Sequence, residues 1–541
     1  MKIAITGGAG NMGKEAVRQV LELSVVEKVR LLFTNKKKND RIARNLTKKY
    51  GTRVEIIRGG LADKDICKRL VEGQDYVVHM AAVIPPLSDN DAEASRLSNM
   101  VGSLNLVEAV KTYAPQTKFI HVSTVALYGN RTAAHPWGRV GDPVMPSVFD
   151  SYAKHKMIAE RAVLESGLSH WVVLRQTGML HERMLNDNIS DGLMFHTPFN
   201  SPIEWVSARD SGLLIKRIIE RDAAGEIDSF WRKIYDIEGG EENRGTGFDV
   251  FRDGFALIGG NAKSFLRPSY NAIRNFHGLW YADGDELNEL FGYRHDTVKA
   301  YWKEIGDKHK YYKLAKILPA SFIAALVIKP LLKHPNSPRT WLKKGDVGKV
   351  QAYFGCKDNA DALPDDWKDF YVWSEDRGED VPNDIKNGEF ADKYSFMAGY
   401  SYEEMKKPEF AKKNGLLLSH GYDETKPVSE WDIEDMKEAA AFRGGECISE
   451  NMEKGDAYTP LKWRCHDGHE FYAAPYTILK GGYWCPDCCQ PEPWNYDKLA
   501  KRIPFYAQIW YDSHAKEENR VYRFDENGKT VVERFGKESV V

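Results

Sequence analysis

Hydrophobic and polar positions alternate along roughly the first 180 residues in the pattern of strand–helix units. Short apolar runs rich in β-branched residues precede longer amphipathic stretches, which predicts a doubly wound α/β fold whose parallel sheet is covered by helices on both faces. The predicted strands are Lys2–Thr6, Val29–Phe33, Val54–Ile57, Tyr76–Met80, Phe119–Ser123 and Trp171–Leu174. Helices are predicted between them, among others at Gly13–Leu23, Val101–Tyr113 and Tyr152–Glu165.

The alternation weakens beyond Asn200, and a chain of 541 residues is too long for one ordinary core. Residues 200–310 are predicted to form a smaller, mixed cap on the sheet. After Gly355 the composition becomes acidic and loop-like, which indicates a domain boundary. The sequence therefore predicts three parts: a dinucleotide and substrate domain (1–310), an apolar and basic helical segment (311–357) and a C-terminal module (358–541).

The most apolar run of the chain lies at 317–333 and is flanked by lysines. It is shorter than the roughly 20 apolar residues that an unaided membrane span requires. Two alternatives stay open: a helix buried against the cap or a partner subunit, and a helix that makes peripheral contact with a membrane surface.

The charges of the chain nearly cancel, with 76 Lys and Arg against 78 Asp and Glu and a formal net charge of −2. This balance provides no overall attraction to nucleic acid, and no nucleic-acid partner is expected. The first residues enter a strand directly, with no charged leader or apolar signal region, so a cytoplasmic protein is expected.

A glycine turn follows the first predicted strand, with Gly7, Gly10 and Gly13 around Asn11 and Met12. Glycines at this spacing allow a tight turn, close approach of the backbone to a pyrophosphate and close packing of helix on sheet. The helix that starts here directs free N–H groups at the phosphates. The position between a strand and a helix predicts a dinucleotide site.

The end of the second strand bears on the choice between NAD and NADP. Sites for NAD usually carry an acid there, which binds the ribose 2′-hydroxyl. Here the strand ends with Thr34 and Asn35, and Lys36, Lys37 and Lys38 follow. Lysines without a carboxylate attract a 2′-phosphate, so NADP is predicted, and NAD remains the alternative.

Tyr152 and Lys156 stand four residues apart, so on a helix their side chains share a face. An ammonium group beside a phenol lowers the pKa of the phenol, which would suit Tyr152 to general acid–base work near neutral pH. The same spacing recurs elsewhere in the chain, and context selects this pair.

That context is a set of motifs that resembles the extended short-chain dehydrogenase/reductases, often labelled the NAD-dependent epimerase/dehydratase family. The resemblance covers roughly residues 1–310 and implies a Rossmann sheet and, since the family often dimerises, a homodimer. Its motifs are the glycine turn at 6–13, Val77–Ala82, Asn99–Glu108, His121–Gly129, Tyr152-x-x-x-Lys156 and Leu174-Arg175.

The resemblance implies a catalytic set of three residues. Thr124 would hydrogen-bond the substrate oxygen, Tyr152 would be the acid–base, and Lys156 would hold the nicotinamide ribose and tune Tyr152. His79 and His121 lie inside strand motifs and are expected to be core residues rather than catalysts.

Further cofactor contacts follow from the same resemblance. Ala81, Ala82 and Val83 would line the adenosine side, and Val122 the nicotinamide side. Leu61 belongs to a motif that usually reads Gly-Asp-Leu, but here it follows Gly59 and Gly60. The acid that contacts adenine is therefore missing or displaced to Asp63.

Three functions compete. No carboxylate pair follows Thr124, and the segment after Arg175 is rich in methionine, which adapts to irregular apolar shapes. These features favour an NAD(P)-dependent enzyme that interconverts an alcohol and a ketone on a small apolar substrate, such as a steroid or lipid. The alternatives are a nucleotide-sugar epimerase or dehydratase, and a non-catalytic NADP-binding redox sensor, which would not need all three catalytic residues.

Two ligand pairs crowd the C-terminal part, Cys465-x3-His469 and Cys485-x2-Cys488. Together they form a tetrahedral set suited to zinc, in a stretch (about 440–490) that resembles small zinc-ribbon modules. Cys447 or Cys489 could replace His469. Because all four positions are filled by protein, the zinc is expected to be structural, and the mixed surrounding charges indicate a stabilising or protein-binding role.

Overall fold

The structure is a computed structural model that describes residues 1–184, 191–374 and 401–536. The strands in this part of the chain are β1 (Lys2–Thr6), β2 (Lys28–Phe33), β3 (Val54–Arg58), β4 (Tyr76–His79), β5 (Lys118–Thr124), β6 (Trp137–Gly138), β7 (Trp171–Gln176), β8 (Gly178–Leu180), β9 (Pro202–Ser207), β10 (Lys233–Ile237), β11 (Arg244–Thr246), β12 (Trp280–Tyr281), β13 (Glu446–Cys447), β14 (Leu461–Arg464), β15 (Glu470–Ala473), β16 (Arg520–Phe524) and β17 (Thr530–Arg534).

The α-helices are distributed over all three described ranges. They are α1 (Asn11–Val20), α2 (Lys37–Tyr50), α3 (Lys64–Val71), α4 (Leu87–Asn90), α5 (Ala92–Ser95), α6 (Gly102–Tyr113), α7 (Ser151–Leu164), α8 (Ala208–Ala223), α9 (Gly247–Ala256), α10 (Ala262–Phe265), α11 (Asp285–Phe291), α12 (Val298–Lys308), α13 (Tyr311–Ala315), α14 (Ala320–Ile323), α15 (Lys329–Leu331), α16 (Pro338–Lys344), α17 (Val347–Phe354), α18 (Lys357–Asp361), α19 (Tyr402–Met405), α20 (Pro408–Lys413), α21 (Ile433–Phe442), α22 (Pro475–Leu479), α23 (Tyr496–Ala500) and α24 (Pro504–Trp510).

The central sheet has seven parallel strands in the order β10-β7-β5-β4-β1-β2-β3. The six predicted strands are present, and their bounds differ from the prediction by at most two residues. The seventh, β10, was missed because it lies within the region predicted as a cap. The strand order reverses between β1 and β4, and the crevice at their carboxyl ends is where such sheets bind ligands.

Helices cover both faces of this sheet, as predicted. Ile3 and Ile5 point to the face covered by α1 and α8, and Ala4 points to the face covered by α3, α6 and α7. Successive side chains of a strand face opposite sides, so a strand buried on both sides is apolar throughout. The predicted doubly wound fold is therefore confirmed.

A smaller mixed unit covers one end of the sheet. Its strands run in the order β11-β9-β8, with β8 and β9 parallel and β9 and β11 antiparallel. Its core is rich in phenylalanine, including Phe195, Phe199 and Phe248. This unit corresponds to the predicted cap.

The apolar segment 317–333 presents one buried and one exposed face. Ile323, Ile328 and Leu331 pack into the phenylalanine core of the cap, whereas Ile317 is 79% exposed and Leu326 is 61% exposed. Within the described residues, the structure contains no helix that is both long and apolar enough to cross a membrane.

The C-terminal part contains the three-stranded sheet β13-β14-β15 and the hairpin β16–β17. Its tryptophans Trp463 and Trp484 belong to the same hydrophobic core as Val163 of α7 and Trp171 of β7. The predicted boundary after residue 357 therefore does not separate two hydrophobic cores, although it falls where the composition changes.

Candidate active site and metal-ligand cluster

The glycine turn between β1 and α1 leaves no space for larger side chains. Gly7 has φ +75°, and a Cβ there would lie 2.7 Å from the backbone of Met80 and Ala81. A Cβ on Gly13 would lie 2.1 Å from the Gly7 oxygen. The Gly10 amide closes the turn by donating to that same oxygen at 2.9 Å. The turn thus brings bare backbone and the start of α1 to the crevice, which fits a pyrophosphate.

A cleft of about 1580 Å³ opens at this turn and extends to the N-terminal end of α7. It exceeds the roughly 300–1,000 Å³ of a typical ligand pocket, so it has room for a dinucleotide and a second ligand. Most of the predicted cofactor residues line it: Gly7, Gly10, Asn11, Met12, Gly13, Lys36, Ala82, Val83, Val122, Tyr152 and Lys156.

Four predicted cofactor residues do not line the cleft. Thr34 and Asn35 lie exposed at the end of β2, and Ala81 is partly buried beside the glycine turn. Leu61 is buried, against the backbone of Gly102. The structure therefore brings together the glycine turn, the nicotinamide side and Lys36, and leaves these four outside the cleft wall.

The carboxylate of Asp63 accepts hydrogen bonds from the amides of Asp65 (2.9 Å) and Ile66 (3.3 Å) and so caps α3. Asp63 therefore acts as the N-cap of α3 through one carboxylate oxygen, and it does not line the cleft.

Cations gather around the end of β2. Lys36 lines the cleft, and Arg58, which the sequence did not single out, donates to the Thr34 carbonyl at 3.3 Å and pairs with Asp40 at 2.8 Å. The pKa of Lys14 is lowered, mainly by burial and then by the charges of Lys38 and Arg183. This end of the cleft is therefore suited to an anionic group.

Thr124 and Tyr152 meet at the centre of the cleft, at the end of β5 and the start of α7. Both side chains line the cleft, and the nearby Thr124 hydroxyl lowers the pKa of Tyr152, against the larger effect of burial. Asp150 positions this end of α7, because its carboxylate accepts from the amide of Ala153 at 2.8 Å. Two hydroxyls at one point of a cleft can bind a single substrate oxygen between them.

Lys156 lies one turn further along α7 and is 2% exposed. Its ammonium donates to the carbonyl of Val122 at 2.7 Å. Burial lowers the pKa of Lys156 to about 8, although the charge of Glu160 opposes this shift.

The predicted lowering of the Tyr152 pKa was wrong for this state of the protein. Burial raises the pKa of Tyr152 to about 12, and the hydrogen bond with Thr124 only partly opposes the shift. The physical reason is that the phenol is removed from water, while the Lys156 ammonium is directed at the Val122 carbonyl.

His79 and His121 are fully buried within the sheet, as expected for core residues. His79 is bonded to Thr6 and Ser103, each at 2.8 Å. Burial lowers the pKa of His79 to about 3 and that of His121 well below its usual range, so both rings are neutral.

The opposite wall of the cleft comes from residues that the sequence analysis did not single out. The Nε2 atom of His196 lies 2.6 Å from the Asn336 carbonyl oxygen, and its ring packs 4.8 Å from Trp341 and 5.2 Å from Tyr353. His196 and Asn336 are 140 positions apart in the sequence, so no local pattern indicates that they are neighbours.

Lys349, on α17, provides a cation on this second wall. Its ammonium lies 4.8 Å from the centre of the Trp341 ring. Among the described residues, no carboxylate oxygen lies within 4.0 Å of this ammonium. By contrast, Arg96 in the same cleft pairs with Glu93 at 2.7 Å and Lys154 pairs with Glu492 at 3.4 Å. The charges of Asp346 and Asp89 nevertheless act on Lys349, and Asp89 lines the same cleft.

The C-terminal cysteines and one histidine converge beside β14 and β15. The ligand atoms of Cys465, His469, Cys485 and Cys488 all lie within 4.8 Å of one another. His469 Nδ1 is 3.5 Å from Cys465 Sγ and 3.7 Å from Cys485 Sγ. Ligand bonds of 2.0–2.3 Å in a tetrahedron give separations of about 3.3–3.8 Å, so the cluster has the dimensions of a zinc site.

Neither alternative ligand, Cys447 or Cys489, belongs to the group of four whose ligand atoms all lie within 4.8 Å of one another. The geometry therefore favours His469 as the fourth ligand.

The fold and the glycine turn are those of a dinucleotide-binding domain, and Thr124 and Tyr152 line its cleft. Residues 3–177 match the model of the NAD dependent epimerase/dehydratase family.

Curated relatives match parts of the chain. A dTDP-glucose 4,6-dehydratase of Streptomyces niveus is 27% identical over 266 residues, which cover 45% of this chain and 74% of the relative. A 3 beta-hydroxysteroid dehydrogenase/Delta 5-->4-isomerase of Mycobacterium tuberculosis is 29% identical over 173 residues, covering 30% and 42%. An uncharacterized membrane protein of Methanocaldococcus jannaschii is 32% identical over 124 residues, covering 23% and 35%. The chain thus spans less than half the length of the last two relatives.

The solved structures that resemble the chain have lower sequence identity. The dTDP-glucose 4,6-dehydratase from Bacillus anthracis in complex with NAD is 18% identical and has a TM-score of 0.45, covering 58% of this chain and all of that chain.

Proposed function

We propose that this protein is an NAD(P)-dependent oxidoreductase that acts at a carbinol or carbonyl carbon. The observation that carries the proposal is that Thr124 and Tyr152 line the same cleft as the glycine turn. A redox sensor would need the turn but not the paired hydroxyls, so the pair favours an enzyme over that alternative.

The residues of the cleft fit a nicotinamide dinucleotide. The turn at Gly7, Gly10 and Gly13 would hold the pyrophosphate, and Lys156 would hold the nicotinamide ribose. When bound, the dinucleotide supplies a hydride acceptor or donor. The cations Lys36 and Lys14 at the adenosine end support NADP as the preferred form.

Side chains of the protein would bind the substrate oxygen and transfer the proton. The hydroxyl of Thr124 would hold the substrate oxygen, and Tyr152 would take up or release the proton at that oxygen. The raised pKa of Tyr152 favours the protonated phenol, so we propose that, of the two directions, carbonyl reduction needs the smaller change in this group.

The residues of the second wall indicate the chemical class of the substrate. Lys349 and the side chains of Asn336, His196 and His277 place a cation and several hydrogen-bonding groups in the same cleft as Tyr152. These groups support a polar, anionic substrate, such as a nucleotide sugar, over the apolar substrate that the sequence favoured. Met184 and Met194, which also line the cleft, support the apolar alternative.

A cofactor-oxidation screen tests this function. NADPH and NADH would each be offered with sugar nucleotides, steroid ketones and small ketones, and the reverse reaction with the matching alcohols. Tyr152→Phe should lower turnover by about a thousandfold, within the range ascribed to general acid–base groups, and leave cofactor affinity nearly unchanged.

Tyr113→Phe is the matched control, because Tyr113 is 48% exposed at the end of α6. Turnover by Tyr152→Phe at the rate of the wild type would refute the catalytic assignment. Cofactor binding without turnover of any compound would favour the sensor.

We further propose that Cys465, His469, Cys485 and Cys488 bind a structural zinc ion. The convergence of the four ligand atoms supports this, and four protein ligands leave no open position for a substrate. Mass spectrometry of the native protein should find one zinc per chain, and Cys485→Ser should abolish it. A folded native protein without metal would refute the site.

A further inference from the structure

The loop that leads to Cys485 packs directly on the helix that carries Tyr152 and Lys156. The hydroxyl of Tyr483 lies 3.1 Å from a carboxylate oxygen of Glu160 and 3.1 Å from the carbonyl oxygen of Met157, both on α7. Arg161, also on α7, donates to the carbonyl of Trp484 at 3.0 Å. Two consecutive residues of the loop, Tyr483 and Trp484, therefore bind the catalytic helix between Met157 and Arg161.

Glu160 is the centre of this contact. It is fully buried and paired with Arg175, which is also fully buried, at 2.6 Å. Its carboxylate also accepts from the hydroxyl of Ser123 at 2.5 Å. A buried ion pair is tolerated only when its remaining hydrogen-bonding capacity is satisfied.

The loop provides hydrogen-bond partners to both Glu160 and Arg175. Tyr483 contacts Glu160, and the carbonyl of Gly481 accepts from Arg175 at 2.8 Å. Gly482 makes the close approach feasible: it has φ +77°, and a Cβ there would lie 2.0 Å from the Asp142 carbonyl oxygen.

The ion pair lies immediately behind the catalytic groups. Glu160 follows Lys156 by one helical turn, and Ser123 directly precedes Thr124 on β5. A displacement of Glu160 would therefore be transmitted to the helix and the strand that hold the three catalytic residues.

We propose that Tyr483 is a positioning residue for the active site, and that metal binding at Cys485 and Cys488 fixes the loop that presents it to Glu160. This inference rests on the proposed function for its kinetic test, but its structural test does not. The metal site is then part of the support of the catalytic helix, rather than an independent module.

Tyr483→Phe tests the first part, because it removes only the hydroxyl. We expect kcat to fall about tenfold, while KM for the substrate, the zinc content and the melting temperature stay close to those of the wild type. Small displacements of catalytic groups have effects of this order or larger. Tyr472→Phe is the control. Tyr472 also belongs to the C-terminal part, on β15, but its side chain is 67% exposed.

An unchanged kcat in Tyr483→Phe would overturn the proposal. So would a fall in kcat that is accompanied by loss of zinc and of thermal stability, because this would indicate a structural role alone.

Hydrogen exchange tests the second part without any substrate. The full-length protein is compared before and after removal of the metal with a chelator. Amides of α7 (Ser151–Leu164) should exchange at least tenfold faster after removal, whereas those of α2 (Lys37–Tyr50), at the far edge of the sheet, should not change. Equal exchange in α7 would overturn the link between metal and helix, whatever the outcome of the substrate screen.

Discussion

The two walls of the cleft differ in how the chain builds them. The first wall comes from the glycine turn, the end of β5 and the start of α7, all within residues 3–177. The second wall combines the cap, the helices α16 and α17 and parts of the C-terminal region. The first thus follows from short motifs, whereas the second exists only when distant segments meet.

The walls also differ in their charges. On the first, the Lys156 ammonium is directed at a backbone carbonyl. On the second, the Lys349 ammonium lies under the charges of Asp89 and Asp346. We propose that the first wall carries the reaction and that the second wall selects the substrate.

The largest effect on ligand binding is expected from Gly13→Ala on the first wall. The new methyl group would lie 2.1 Å from the Gly7 oxygen, so the turn must open and dinucleotide affinity should fall more than about a hundredfold. Fluorescence titration with NADPH measures it. Gly60→Ala, where no atom lies within 4 Å of the added carbon, is the control. Wild-type affinity in Gly13→Ala would remove the turn from the cofactor site.

A smaller effect is expected from Lys349→Met on the second wall. Loss of one cation–anion contact should raise KM for an anionic substrate about tenfold and leave kcat nearly unchanged, since the contact is the same in ground and transition states. The exposed Lys343 on the neighbouring helix α16 provides the control Lys343→Met. A change in kcat instead of KM would contradict the proposal that the second wall binds the substrate without taking part in the reaction.

Reversal of the charge of Lys36, at the adenosine end of the cleft, should have a still smaller effect, on cofactor preference. Lys36→Glu is expected to lower the preference for NADP over NAD about fivefold, as a partly solvated ion pair is worth about 1 kcal/mol or less. Lys37→Glu makes the same charge change outside the cleft and should shift the preference less. Comparison of kcat/KM for the two cofactors measures it, and an unchanged ratio would contradict the assignment of NADP.

The smallest effect concerns the segment 317–333, whose buried face supports the cap behind the second wall. Its exposed residues and flanking lysines support contact with an anionic membrane surface, which we retain as a proposal. Leu326→Ser should lower partitioning into phosphatidylserine vesicles about threefold in a flotation assay. No association of the wild type would leave the alternative of a partner subunit.

Local sequence patterns identified most of the first wall. The alternation of apolar runs located six strands, the glycine spacing located the turn, and the spacing of Tyr152 and Lys156 placed both on α7. Each of these patterns reflects interactions between residues close in sequence. The edge strand β10 was missed because the cap interrupts the regular alternation.

The sequence by itself thus determined the class of fold, the dinucleotide turn and the spacing of the metal ligands. Tertiary structure decided the direction of the Tyr152 pKa shift, the position of Lys349 in the cleft and the contact of Tyr483 with Glu160. The last two residues are 323 positions apart. Burial and charge pairing depend on which segments the fold brings together, and no local pattern encodes that.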